Sequence, residues 1–542
     1  MASDCDAVII GGGPAGAAAA IALQAHGCRT LVLEAARFPR HHVGESLVSL
    51  WPVFDQLGVA DEMDASFQHK RGSCRIWGHG QELQWTEFDS LAGGREYSLQ
   101  VERSRFDAML LARAAAVGAD VRQGHRVRGV LWSGARAMGV RYASDDGATG
   151  EIRARWVVDA SGRSGLIARE RALRAVDPFY PDLSVYAYVQ DARRFTGPHA
   201  GNLLIEAVPW GWFWFIPLHT GEVSVGLVCD RSSRARTRAR GLDGFFRDAL
   251  ATSTLVGAMV SAGRLARGPI ATTSHGYSST RYAGPGWLLT GDAGSFVDPM
   301  WATGVANALT DGLLAAGVVE AVGDGRVAEA DAVAHYDAQL AQRTDRTLAL
   351  VRFVYGSNQL HGDEPFWRAR RPPPIDAATA SPAGILRSLS SDPSARYFRN
   401  AFRGMGHGAD TLAPLDETLE RWDHRDAAIG GLTLDLTAWA PRFRPAVTTR
   451  RSLGFERYRL TPGLVLDNAG VEHFTSDAAM AAAFEAVDGR RTAREIVDAA
   501  ADAAPAGQWV ITRSRVIAGL AGAWQAGLIE AAASAARPGA PA

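Results

Sequence analysis

Residues 5–34 read CDAVIIGGGPAGAAAAIALQAHGCRTLVLE, and their pattern decides the fold. A short apolar run, CDAVII, has the length and composition of a buried strand, and a glycine-rich turn follows at once. AAAAIALQAHG then has helical composition, and RTLVLE returns as a second strand, which completes a β-α-β unit. Gly11, Gly13 and Gly16 stand in GxGxxG spacing with Ala15 between the last two. That spacing provides a tight turn, close approach of backbone to a pyrophosphate at the helix N-terminus, and close helix-to-strand packing. Glu34 ends the second strand, where a carboxylate can accept hydrogen bonds from a ribose. The unit predicts dinucleotide binding.

Two further strand-turn segments identify the dinucleotide. RWVVDASGRSG (155–165) runs a strand into a small-residue turn, and GWLLTGDAGSFVDPMWATGVANALTDG (286–312) runs a strand into Gly291-Asp292 and then a helix. An aspartate at such a strand end can hold a ribityl hydroxyl, and the following helix N-terminus favours negative charge on the flavin ring edge. With LQVERSRFDAMLLARAAAVGADVRQGHRV (99–127), these segments resemble the glutathione-reductase-like, hydroxybenzoate-hydroxylase type of flavoprotein. The resemblance implies an α/β FAD-binding domain, with Asp292 and Arg103 at the cofactor; a surface ion pair is the alternative for Arg103. A second GxGxxG after a strand is not found, and GMGHG (404–408) lacks the spacing, so reduced flavin is expected from a separate flavin reductase or by transient NAD(P)H contact.

Two stretches narrow the class. Lys70, in SFQHKRGSCRIWG (66–78), is the only lysine of the chain, the other 56 of its 57 basic residues being arginine. GWFWFIP (211–217) carries Trp212, Trp214, Ile216 and Pro217 as WxWxIP, and VGESL occupies 43–47. Tryptophans two apart on a strand commonly form one packed face, but in combination with Lys70 these stretches resemble flavin-dependent halogenases over residues 1 to about 320. The resemblance implies that reduced FAD, O2 and chloride or bromide yield hypohalous acid, which passes a tunnel walled by the tryptophans to Lys70. An amine there can hydrogen-bond hypohalous acid or become a chloroamine; a guanidinium stays protonated and is a poor nucleophile. It further implies flavin contacts at Gly44, Glu45, Ser46, Gly304 and Val305, and a halide cradle from the amides of Thr303 and Gly304. Tryptophan halogenases carry a glutamate before the Ser-Thr-Gly run, where this chain has Trp301 and Ala302. The expected substrate is therefore a phenol, pyrrole or other electron-rich group, free or tethered to a carrier protein or peptide, in specialised metabolism such as antibiotic biosynthesis. Hydroxylation of an aromatic or peptide substrate on the same fold is the alternative.

Composition sets the remaining bounds. A net charge of -1 with pI near 6.9 gives no field for nucleic acid. Cys5, Cys28, Cys74 and Cys229 have no metal-type spacing and read as reduced thiols. Neither a signal peptide nor a charge-free apolar span is seen, so a cytoplasmic protein is expected. The expected domains are a discontinuous FAD domain (1–175 and 270–320), an inserted mixed-sheet substrate domain (176–269), a helical lid or linker (321–450) and a winged-helix-like C-terminal domain (451–535). Phe353, Tyr355, Phe366 and Trp367 either cover the substrate chamber or pack in the core. The C-terminal segment resembles winged helices that bind leader peptides in peptide-modifying systems; few basic residues in TAREIVDAAADAAP argue against a DNA reader.

Overall fold

The apolar run at the N-terminus becomes the strand Cys5–Ile10, held in parallel register between Thr30–Glu34 and Thr149–Asp159. A strand buried on both faces needs apolar side chains throughout, and Ala7, Val8 and Ile9 are fully enclosed. In the computed structural model the residues described are 3–78, 82–88, 95–180, 183–230, 233–273, 276–358, 360–371, 440–468, 471–503, 508–525 and 528–531, with single positions between 399 and 416. GMGHG and most of the Pro/Ala-rich stretch after Arg371 lie outside them.

Two compact units emerge, residues 1–385 with 397–408, and residues 386–396 with 409–542. The first is built on two large sheets. Its eight-stranded sheet orders Ala283–Gly284, Trp287–Leu289, Thr149–Asp159, Cys5–Ile10, Thr30–Glu34 and Asp120–Gln123 in sequence, with His125–Ser133 and Arg136–Ser144 appended as an antiparallel ribbon. The helices Pro14–Ala25 and Gly304–Gly323 pack together against it. Their approach depends on small residues, since a Cβ at Gly312 would collide with the carbonyl of Ala15. Gly304–Gly323 is long and apolar enough to cross a membrane, yet most of it is buried inside the protein, Asp311 included.

The seven-stranded sheet orders Arg264–Thr273, Leu183–Gln190, Glu222–Cys229, Gly211–Pro217, Leu203–Val208, Gly72–Ile76 and Gln84–Glu87. Its last two strands come from the segment that the sequence assigned to the flavin domain, because Gly72–Ile76 pairs in parallel with Leu203–Val208. One face of this sheet carries Phe213, Phe215 and Leu227 into a core closed by Phe245 and Phe246. The opposite face, with Trp212, Trp214 and Ile216, looks into a cavity.

In the second unit the strands Val447–Glu456, Arg459–Asn468 and Val471–Thr475 form an antiparallel sheet, followed by helices Ala478–Glu485, Ala493–Asp502 and Trp509–Gln525. Thr492 and Glu495 cap the middle helix reciprocally. The strands Pro441–Phe443 and Ile529–Ala531 pair across the unit. Its first strands thus begin upstream of residue 451, the start expected from the sequence.

Candidate active site

The glycine turn has three different tasks. Gly11 sits at φ +101, and a Cβ there would be 2.5 Å from the carbonyl oxygen of Ala160, so both backbone conformation and space require glycine. A Cβ at Gly16 would collide with the carbonyl of Gly11, which makes Gly16 a packing residue. At Gly13 a Cβ would meet only the end of the flexible Arg40 side chain, Nη2 at 3.3 Å, and the residue borders a cavity. Glu34 lies directly beneath, its carboxylate accepting from the N–H of Gly12 (2.6 Å) and of Ala36 (2.7 Å).

From this turn a continuous cavity of about 820 Å³ runs to the second sheet. Gly11, Gly13, Ala15, Glu34, Gly44, Glu45, Ser46, Arg103, Asp292, Gly304, Val305, Trp212, Trp214 and Ile216 all border it. Gly16, Lys70, Thr303 and Pro217 do not form its wall. Arg103 is buried, binds the Asp107 carboxylate through Nε (2.8 Å) and Nη2 (3.1 Å), and donates from Nη1 to the Val43 carbonyl (3.2 Å). It is an ion pair, but an interior one on the cavity wall. Burial pushes the Asp292 carboxyl up to about 6, against the pull of Arg163 and Arg103. The residues suit a flavin dinucleotide: a side-chain-free turn at one end, a helix N-terminus midway, and an aromatic wall at the other.

That helix N-terminus is shaped by Asp298 and Ala302. Asp298 accepts from the N–H of Met300 (2.8 Å) and caps the turn Pro299–Trp301. Ala302 is left-handed, at φ 55, a conformation costly for a side-chain-bearing residue. It precedes Thr303 and Gly304, the N-cap and first residue of the helix Gly304–Gly323, whose N–H groups have no intrahelical acceptor. Beside Gly304 a Cβ would meet nothing within 4 Å.

The aromatic wall is fixed by hydrogen bonds. Trp212 donates its indole N–H to Tyr355 Oη (2.8 Å), and Tyr355 donates to Asp298 Oδ2 (3.1 Å). Trp214 donates to Ser224 Oγ (3.2 Å) and lies opposite Gly226 in the neighbouring strand, where any Cβ would strike the indole. Phe366 and Trp367 pack around Tyr355. Asp298 is held protonated to about 7, chiefly by burial. Glu45 accepts from Tyr188 Oη at 2.5 Å, a residue 143 positions away that no sequence motif marks.

Lys70 ends the strand Gln68–Lys70, is 3% exposed, and donates from Nζ to Ser46 Oγ at 2.6 Å. Burial, and then the neighbouring charge of Arg75, lowers its ammonium to about 7. The lysine therefore stands just behind the cavity wall, with Ser46 between.

Residues 4–351 match the FAD binding domain family, so the fold and cavity define an FAD-binding flavoprotein. The chain is 33% identical over 306 residues to a tryptophan 2-halogenase of Chondromyces crocatus, a match covering 55% of this chain and 58% of that relative. It is 30% identical over 378 residues to the flavin-dependent halogenase armH5 of Armillaria mellea, covering 66% and 72%. Among solved structures, the flavin-dependent halogenase CmlS superposes with a TM-score of 0.72 at 24% identity, covering 98% of this chain and 96% of that one. The chain belongs to the flavin-dependent halogenases.

Proposed function

We propose that the protein halogenates an electron-rich ring, phenol-like or pyrrole-like, with Lys70 as the catalytic amine. The observation that carries this reading is the sole lysine, buried and poised near neutrality beside a cavity that otherwise fits a flavin. Bound FAD, reduced by a partner reductase, supplies with O2 the oxidising equivalents that turn chloride or bromide into hypohalous acid and water. The N–H groups of Thr303 and Gly304 bind the halide, helped by the helix start and needing no cationic side chain. Trp212 and Trp214 exclude organic substrate from the flavin end, being locked by Tyr355 and Ser224. Lys70 then presents the oxidant to the ring.

The buried Trp301 at the halide turn, where the tryptophan-halogenase pattern has a glutamate, supports a substrate other than free tryptophan, unlike that named for the Chondromyces relative. The second unit, with its three-stranded antiparallel sheet and the helices that follow it, suits docking of a carrier-borne or peptide-borne substrate in the cytoplasm. The test is reaction of the purified protein with a flavin reductase, FAD, NADH, O2 and either halide on a panel of phenols, pyrroles and tryptophan. A halide-dependent mass gain on phenol or pyrrole supports the reading; oxygenated products with either halide, or halogenation of tryptophan alone, would overturn it.

A further inference from the structure

Lys70 does not stand alone. Its strand pairs with Ser98–Gln100, Lys70 opposite Ser98, and on the other edge of that strand Ser46 bridges Gln100. Directly opposed residues share a sheet face, as do residues two apart. Lys70, Ser98, Gln100 and Ser46 therefore project from one face, which the 2.6 Å bond from Lys70 to Ser46 bears out. The segment is rigid: Val101 N–H donates to the Glu45 carbonyl (2.7 Å), Leu47 N–H to the Leu99 carbonyl (3.0 Å), and Ser98 Oγ to the carbonyls of Leu47 and Val48.

Gln100 is fully buried, and its Oε1 has no hydrogen-bond partner among the described residues. Its orientation is not arbitrary, because Nε2 donates to the Gly201 carbonyl (3.3 Å), which can only accept. A buried amide oxygen without a donor is costly; Gln68 stands directly opposite Gln100, and Lys70, an amine with donors to spare, lies diagonally across on the same face. A ligand suited to both would offer one O–H and one accepting oxygen on a very small neutral frame.

We infer that Gln100 and Ser46 complete the lysine's site for hypohalous acid: Gln100 Oε1 accepts its O–H, Lys70 donates to its oxygen, and Ser46 Oγ positions the amine at the cavity wall. This rests on the halogenase reading, and it assigns a binding role to Gln100 and a positioning role to Ser46.

Because the chain has one lysine, protein labelled with ¹³C-lysine gives a single Cε signal whose titration reports position 70 without turnover. Gln100→Glu places a carboxylate on the same face and is expected to raise that titration midpoint by about one pH unit or more. Ser46→Ala removes an acceptor of the ammonium and is expected to lower it. In turnover, Gln100→Leu is expected to retain flavin binding and oxygen consumption while shifting hypohalous acid from halogenated product to an added scavenger by about tenfold, the worth of one such hydrogen bond. Should Gln100→Leu not fold, Gln100→Met serves for the same partition. An unmoved lysine midpoint in Gln100→Glu, or an unchanged partition in Gln100→Leu or Gln100→Met, would overturn the inference. Loss of halogenation in Lys70→Arg alongside those null results would leave the halogenase reading standing and remove only this one.

Discussion

The indole N–H of Trp212 donates to the hydroxyl of Tyr355 at 2.8 Å across 143 residues of chain, and the same hydroxyl donates onward to Asp298. One oxygen thus ties the aromatic wall, the long helix Glu329–Gly356 and the turn that opens the helix Gly304–Gly323. Tyr355→Phe keeps the ring but leaves the buried Trp212 N–H and one oxygen of the buried Asp298 carboxyl without that partner. A loss of about 1–3 kcal/mol in denaturant unfolding is expected, with more oxygen consumed per halogen transferred. Stability within a few tenths of the parent would show that the chain of bonds is incidental.

Gly13 and Gly16 should separate ligand binding from folding. A side chain at position 13 enters the cavity, whereas one at position 16 strikes the Gly11 carbonyl. Gly13→Val is expected to purify folded and colourless, with unchanged circular dichroism; Gly16→Ala is expected to be unstable or insoluble. A yellow, fully loaded Gly13→Val protein contradicts this division.

Lys70→Arg retains charge and approximate length but loses the amine that can be neutral near pH 7. Normal flavin binding is expected, with oxygen consumed, peroxide or free hypohalous acid released, and halogenated product nearly abolished. Product formed at the parent rate, unaffected by a hypohalous acid scavenger, would dismiss the lysine as an accident of arginine-rich composition.

Stability against pH carries the marks of Lys70 and Asp298 with opposite signs. The Lys70 midpoint falls from 10.5 to about 7 on folding, so the unfolded chain binds more protons between those values and this group's contribution improves as pH rises from 7 to 10.5. Asp298 rises from 3.8 to about 7, so its contribution is best below pH 4 and worsens up to 7. Lys70→Met is therefore expected to stabilise the protein most at and below pH 7, with the gain vanishing by about pH 10.5. A pH-independent difference in urea titrations would contradict the buried, depressed lysine.

The β-α-β unit was legible because its signals are local: strand length, glycine spacing and a carboxylate at the next strand end lie within 30 consecutive residues. The two-residue spacing of Trp212 and Trp214 made their common face legible, whereas Pro217, expected beside them, is not on the cavity wall. What stayed hidden depends on distant chain. Nothing in Gly72–Ile76 indicates a parallel partner at Leu203–Val208, and nothing in Arg103 indicates whether Asp107 meets it at the surface or inside. The joining of Tyr188 to Glu45 is likewise created by the sheet and has no periodicity to betray it. Gln100 lies in the recognisable stretch 99–127, but only its burial without a partner for Oε1 gives it meaning.

Gly226, opposite Trp214, acts as a calibre for the aromatic end of the cavity. The indole occupies the volume that a methyl group at 226 would claim, and behind the strand the core is filled by Phe213, Phe215 and Leu227, so the ring can retreat only forward, into the cavity. The width of the cavity at its aromatic end is thus set by a residue that does not line it, and Gly226→Ala would narrow that end while leaving both tryptophans in place.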